Sequence, residues 1–274
     1  MGAPITFHND SGLKTVVLGR IAAHERADTI RQGSLIERDD TGRVIQVSAV
    51  ECSLCDLYAA DKPICEIWSE ELEKNWCQEM ETALGIPVWL AELEDRVFYG
   101  LRLEDAKRWP RRFAEAVPVG IQLGQGLMDR LAARRLRETV LPLAPTWDER
   151  IQAQVVAAVE QVATALENNA GKEIAHKAAL EASNEAKKAV RKPVEPVLAD
   201  AHAWAAVWAA EAAITRSADR EAARAVEAVA WSASSNNDEM LRAVAWLAES
   251  ERIIEELTAK TTRAHERSTH RCAE

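Results

Sequence analysis

Between residues 199 and 249 the chain holds 19 alanines in 51 positions, with Trp204, Trp208, Trp231 and Trp246 spaced among them. Small side chains let helix backbones approach closely, and sparse indoles fill the gaps between them. Such a stretch reads as helices in a packed bundle or at a homodimer interface. Trp204 and Trp208, one turn apart, form a broad apolar ridge suited to that contact. The rest of the chain agrees. Aromatic residues make up 5% of 274 and apolar residues 47%, while glycine (11) and proline (9) are scarce. That balance argues against a β-sandwich with many tight turns and for long helices.

No window reaches the roughly 18 uninterrupted apolar residues of a membrane helix. The N-terminus has no basic stretch followed by an apolar run, so a cytoplasmic protein is expected. The formal charge of −10 is unevenly placed. Residues 1–50 are neutral, residues 51–100 carry twelve acids against Lys62, Lys74 and Arg96, and residues 101–150 carry ten bases against seven acids. The acid excess argues against a general nucleic-acid coat and predicts weak duplex binding, at low salt only. The local reversal of sign suits either an internal salt-bridged contact or two surfaces with different partners.

Helical spacing runs from Leu13 to Ile30, with Leu13, Val17, Ile21, His24 and Asp28 on one face and Gly33 as the stop. Asp39-Asp40-Thr41-Gly42 is a turn signal between the short β-like runs Leu35-Ile36 and Val44–Val47. Helical patterning returns at Trp68, with Leu72, Trp76, Met80 and Leu84 on one face until Gly85. A further apolar stripe is Leu90, Leu93, Val97 and Phe98. A kinked stretch follows from Leu103, with breaks expected at Trp109-Pro110 and Val117-Pro118. Another helix is expected over 123–140. Residues 141–146 read as a linker, and Thr146 with Glu149 as a capping box for the long helix after it.

Cys52-x-x-Cys55 can present two thiolates to one structural Zn²⁺, with two of His24, Cys65 and Cys77 completing a tetrahedral set. Asp28, one turn beyond His24, is placed to hold the other ring nitrogen. The alternative is that these are ordinary buried cysteines and a hydrogen-bonded core histidine. A zinc-deaminase reading fails, because neighbouring residues on a helix point about 100° apart and Glu25 cannot face a metal held by His24. No phosphate loop, nucleophile elbow or HExxH is present. Glu92, Glu94 and Asp95 form an acidic run that could hold a divalent ion or simply favour a helix start. Lys107, Arg108, Arg111, Arg112, Arg130, Arg134, Arg135 and Arg137 form a candidate basic interaction patch beside Trp109.

The run Gly85-Ile86-Pro87-Val88-Trp89-Leu90-Ala91-Glu92-Leu93-Glu94-Asp95, continuing to Phe98 and Gly100-Leu101, resembles a family of uncharacterised phage and prophage proteins. So do Trp109-Pro110 with Phe113, and Pro118-Val119-Gly120. That family shares a GIP..LA.LED..F.GL core, a WP..F stretch and a PVG. Upstream it carries a His-x-x-Ala-Asp helix, matched by His24, Ala27 and Asp28, then a Cys/His knot, and it ends in an alanine-rich helical tail. At the knot the chain departs from the pattern, with Tyr58 near the place of a histidine. The resemblance covers residues 20–125 and implies a phage or prophage origin and action in the host cytoplasm.

The expected fold is mainly α. Residues 1–84 form a helix, hairpin and Cys/His module, 85–142 a helical middle, and 143–274 an alanine-rich bundle. The expected function is that of a non-enzymatic protein-binding accessory factor, most concretely an anti-CRISPR-like inhibitor of a host defence complex. The alternative is a metal-dependent enzyme acting on nucleotides or nucleic acid.

Overall fold

The computed structural model describes residues 4–33, 37–41, 44–54, 76–147, 149–168, 222–223, 225–226 and 238–271. Among these the chain is mainly α, with one two-stranded hairpin. It divides into two compact units, Met1–Gly124 with Ser250–Glu274, and Gln125–Glu249.

The first unit begins with a hook. Thr6–Asn9 is a single turn in which Phe7 (φ 49°), His8 (φ 50°) and Asn9 (φ 61°) all take left-handed backbone. Side chains disfavour that region, so tertiary contacts must hold it. Phe7 is wholly buried. The Thr6 N–H and hydroxyl donate to the Ile121 carbonyl at 3.1 and 3.0 Å, and Gly120 N–H donates to Thr6 O at 3.0 Å. Two glycines with positive φ leave room for the hook. A Cβ on Gly85 (φ 65°) would collide with the Ile5 carbonyl, and one on Gly120 (φ 75°) with the Asn9 side-chain oxygen.

Asp10 then caps α1 (Ser11–Ala27), its carboxylate accepting from Gly12 N–H at 2.7 Å. The helix buries Val17 and Ile21 and ends at Ala27, not at Gly33. Asp28 ends it by taking left-handed backbone (φ 52°) and donating its N–H to the His24 and Glu25 carbonyls. A hairpin forms about the expected turn, with β1 (Glu37–Arg38) and β2 (Val44–Gln46) and Glu37 opposite Gln46; its first strand lies after the expected run Leu35-Ile36, which is outside the described residues. Asp39 accepts from the Thr41 N–H and hydroxyl at 2.9 and 2.6 Å, which is the turn chemistry the sequence predicts.

The short helix α2 (Ala49–Leu54) is buried throughout, and the Glu51 carboxylate accepts from Ser48 N–H at 2.8 Å. Next come α3 (Trp76–Leu84), which ends at Gly85 as expected, α4 (Val88–Gly100) and α5 (Leu103–Ala116). The expected break at Trp109-Pro110 does not occur. A proline inside a helix costs about 3 kcal/mol and leaves one carbonyl without its helical donor. Here Trp109 and Pro110 are both buried, and the Trp109 indole N–H donates to Glu94 O at 3.0 Å. Tertiary burial overrides the local rule. The second expected break holds, with α5 ending before Val117.

In the second unit, α6 (Gln125–Arg135) passes without interruption into a π turn, Leu136–Val140, and a 3-10 turn, Leu141–Thr146. The segment read as a linker is therefore helical. Among the described residues Thr146 makes no cap to the next helix. Its hydroxyl donates back to Leu143 O at 2.7 Å, and α7 starts at Glu149 (Glu149–Glu167). Leu136, Val140, Trp147, Val155, Val159 and Val162 form the core of this unit. The last helix, α8 (Asp238–Arg271), supplies Glu249, whose carboxylate receives Arg135 Nε at 3.0 Å and Nη2 at 2.5 Å with both side chains 2% exposed. Leaving one such buried charge alone costs about 3–5 kcal/mol.

Gly85→Ala tests the hook. It adds about 1–2 kcal/mol of left-handed strain to the collision with Ile5 O. The expected result is a urea midpoint well below that of the Gly19→Ala control, where an added Cβ meets nothing.

Candidate functional site

The outer face of α5 and the C-terminal end of α1 enclose a cleft of about 480 Å³. Strong amphipathicity makes α5 suited to this. Ala106, Trp109, Pro110, Phe113 and Ala114 are buried, leaving the charged residues outside. On a helix, residues four apart form one row, so the cations of α5 fall into two rows. Lys107 and Arg111 lie on one, Arg108 and Arg112 on the other. Glu25, Asp28, Glu104 and Ile30 complete the lining.

The inner row pairs with α1. Asp28 accepts from Arg31 at 2.9 and 2.6 Å and faces Lys107 Nζ at 2.9 Å. These donors, Arg31 first and then Lys107, hold its carboxyl well below the usual carboxylate range. Arg111 donates to Glu115 at 2.9 Å and to Glu25 at 3.3 Å. In the outer row Arg112 donates to Glu251 of α8 at 2.6 Å. Arg108 is exposed and makes no hydrogen bond or ion pair among the described residues. The cleft therefore has an α5 wall that is mostly basic, an α1 wall that is acidic, and one guanidinium whose donors are open among those residues.

The other residues of the expected basic patch lie in the second unit. Arg135 is buried on Glu249, so it is part of that core and not of a surface. Arg134 pairs with Glu138 at 3.0 Å, Arg137 with Glu167 at 2.8 Å, and Arg130 donates to Gly126 O at 2.8 Å.

Of the expected metal set, Cys52 is wholly buried on α2, Cys77 is half-buried on α3, and Cys55 and Cys65 lie outside the described residues. His24 is half-buried, and its Nδ1 lies 2.9 Å from the Thr29 hydroxyl. Thr29 thus occupies the place expected for Asp28, whose carboxylate turns to Arg31 and Lys107 instead. Among the described residues no three of His, Cys, Asp and Glu are grouped to hold a metal. Trp204 and Trp208 lie outside the described residues. No described helix is long and apolar enough to cross a membrane.

The acidic run on α4 is split by the helix. Glu92 is exposed and Asp95 half-buried, whereas Glu94 is wholly buried, with neither carboxyl oxygen hydrogen-bonded among the described residues. Burial, then Asp95, pushes the Glu94 carboxyl well above its ordinary range, and burial moves Asp95 up to about 6. The Tyr99 phenol is raised to about 12, by burial first and then by Asp95 and Glu51. Glu94 is a buried acid whose carboxyl is held toward its protonated form, and the sequence signal for it is its place on the Leu90–Val97 apolar stripe.

No protein-family model, curated protein or solved structure matches the chain.

A carboxyl raised in the folded state binds a proton that the unfolded chain releases, so stability falls as pH rises above the ordinary glutamate value and through about 6. Asp28 acts oppositely, and only in acid, because its shift is downward. Glu94→Gln is expected to reduce the loss of stability between pH 5 and 7. Urea midpoints at the two pH values measure it, and an unchanged loss in the variant would place the effect on another group.

Proposed function

We propose that the chain is a protein-binding accessory factor of a phage or other mobile element, docking on a host protein in the host cytoplasm. Its most concrete version is inhibition of a host defence complex of the CRISPR kind. The observation that carries the docking reading is the cleft on α5, where acidic and basic side chains stand in rows and Arg108 has no partner among the described residues. Charged rows of this kind steer encounter and select partners through complementary charge more than through raw affinity. The surface pairs are weak enough to exchange partners, at about 0–1 kcal/mol each. The mobile-element and defence context rests on the motif resemblance at residues 85–120. Tagged protein in host-cell lysate is expected to retain one host protein in equal amount. Arg108→Glu with Arg112→Glu should release it while the helical circular dichroism is kept. Absence of a stoichiometric partner would count against docking.

A structural zinc on Cys52 and Cys55 is a second proposal. It is supported by the full burial of Cys52 on α2, which packs against the helix carrying His24. Elemental analysis of purified protein is expected to give about one zinc per chain, four-coordinate as structural sites usually are. Metal-free protein of full thermal stability would overturn it.

A further inference from the structure

The outer row of α5 reads Glu104, Arg108, Arg112, one negative and then two positive charges four residues apart. Each step along the row is a rise of about 6 Å. None of the three is fully engaged among the described residues. Arg108 is open, Glu104 reaches Lys107 at 3.6 Å and is 77% exposed, and Arg112 holds Glu251 through a single nitrogen. The inner row, by contrast, is tied to Asp28 and Glu25. Buried Ile30 lines the same cleft, which at about 480 Å³ is far larger than one ion needs.

In an extended peptide, alternate side chains share a face at about 6.6 Å. That period matches the row on α5. We infer that the cleft takes an extended segment of a partner protein with one basic and then two acidic residues at alternate positions, Lys-x-Glu-x-Glu in type. The inference rests on the docking reading above. The basic side chain meets Glu104, the first carboxylate takes the open fork of Arg108 in two parallel hydrogen bonds, and the second takes a remaining donor of Arg112. A nucleic acid does not fit the same walls. Its charges are all negative and closely spaced, so a strand on Arg108 and Arg112 would also meet Glu104 and Glu25.

The test titrates the full chain against the fluorescein-labelled peptide Ala-Lys-Ala-Glu-Ala-Glu-Ala, read by polarisation. Saturable binding that weakens with added salt is expected. Arg108→Glu should weaken it about tenfold or more. A peptide with Lys in place of the first Glu should then bind Arg108→Glu better than it binds the wild type, which a merely misfolded variant cannot produce. Equal binding of a peptide with Gln for both Glu residues overturns the inference, as does unchanged binding by Arg108→Glu. Displacement of the peptide by duplex DNA at physiological salt also overturns it. Failure of the peptide while a host protein is still retained in equal amount removes only the partner chemistry; failure of both removes the docking reading as well.

Discussion

The indole N–H of Trp109 donates to the Glu94 carbonyl at 3.0 Å, and through it α5 is held against α4. Everything charged on the far side of α5 takes its position from that anchor. Trp109 is 1% exposed and its ring lies 5.6 Å from that of Phe113. Truncating a core tryptophan of this kind costs about 3–5 kcal/mol. That is as large as the proline penalty at the next position, and the helix runs through Pro110 unbroken. With the inner face fixed, the two outer rows point along fixed lines, one toward α1 and one toward Glu251 of α8.

The ends of α5 are held with equal care. At its C-terminus Lys14 Nζ donates to the Glu115 and Val117 carbonyls at 2.8 and 2.6 Å, satisfying groups the helix leaves open. Burial lowers the affinity of that lysine for its proton, and its ammonium stands 5.7 Å from the centre of the Phe7 ring. Phe7 belongs to the hook, and the hook is tied through Thr6 to Ile121, just beyond α5. The N-terminal residues, two glycines and the α5 helix end thus form one connected clamp.

Much of this was legible in the sequence, and the misses share a cause. The hairpin turn at Asp39–Thr41, the stop at Gly85 and the break before Pro118 are set by local chemistry, so they appear where the residues predict them. Pro110, Asp28 and residues 141–146 are decided by packing and side-chain contacts that local rules do not count: burial against α4, the pairing with Arg31 and Lys107, and the core of the second unit. Asp28 reads as one more turn of helix until Arg31 and Lys107 draw its carboxylate outward. The basic cluster on α5 was visible as a cluster, but its division into cations engaged and cations open among the described residues was not. The acids that decide it, Glu25, Asp28 and Glu251, lie about 80 residues before and 140 after it in the chain. Arg135 is the clearest case. By composition it belongs to a surface patch, yet Glu249 takes it into the core of the second unit.

Two kinds of ion pair therefore coexist, and their surroundings separate their roles. Arg135 and Glu249 are each 2% exposed, and in so low a dielectric neither charge can leave the other without a large desolvation loss. At the cleft, Arg111 and Arg112 are 50% and 39% exposed, and their carboxylate partners remain in contact with water. Water screens such pairs, so a guanidinium there can turn part of its fork to a new carboxylate at little loss. Asp28, 60% exposed, takes three donor contacts from Arg31 and Lys107, and these hold its carboxyl well below the usual carboxylate range.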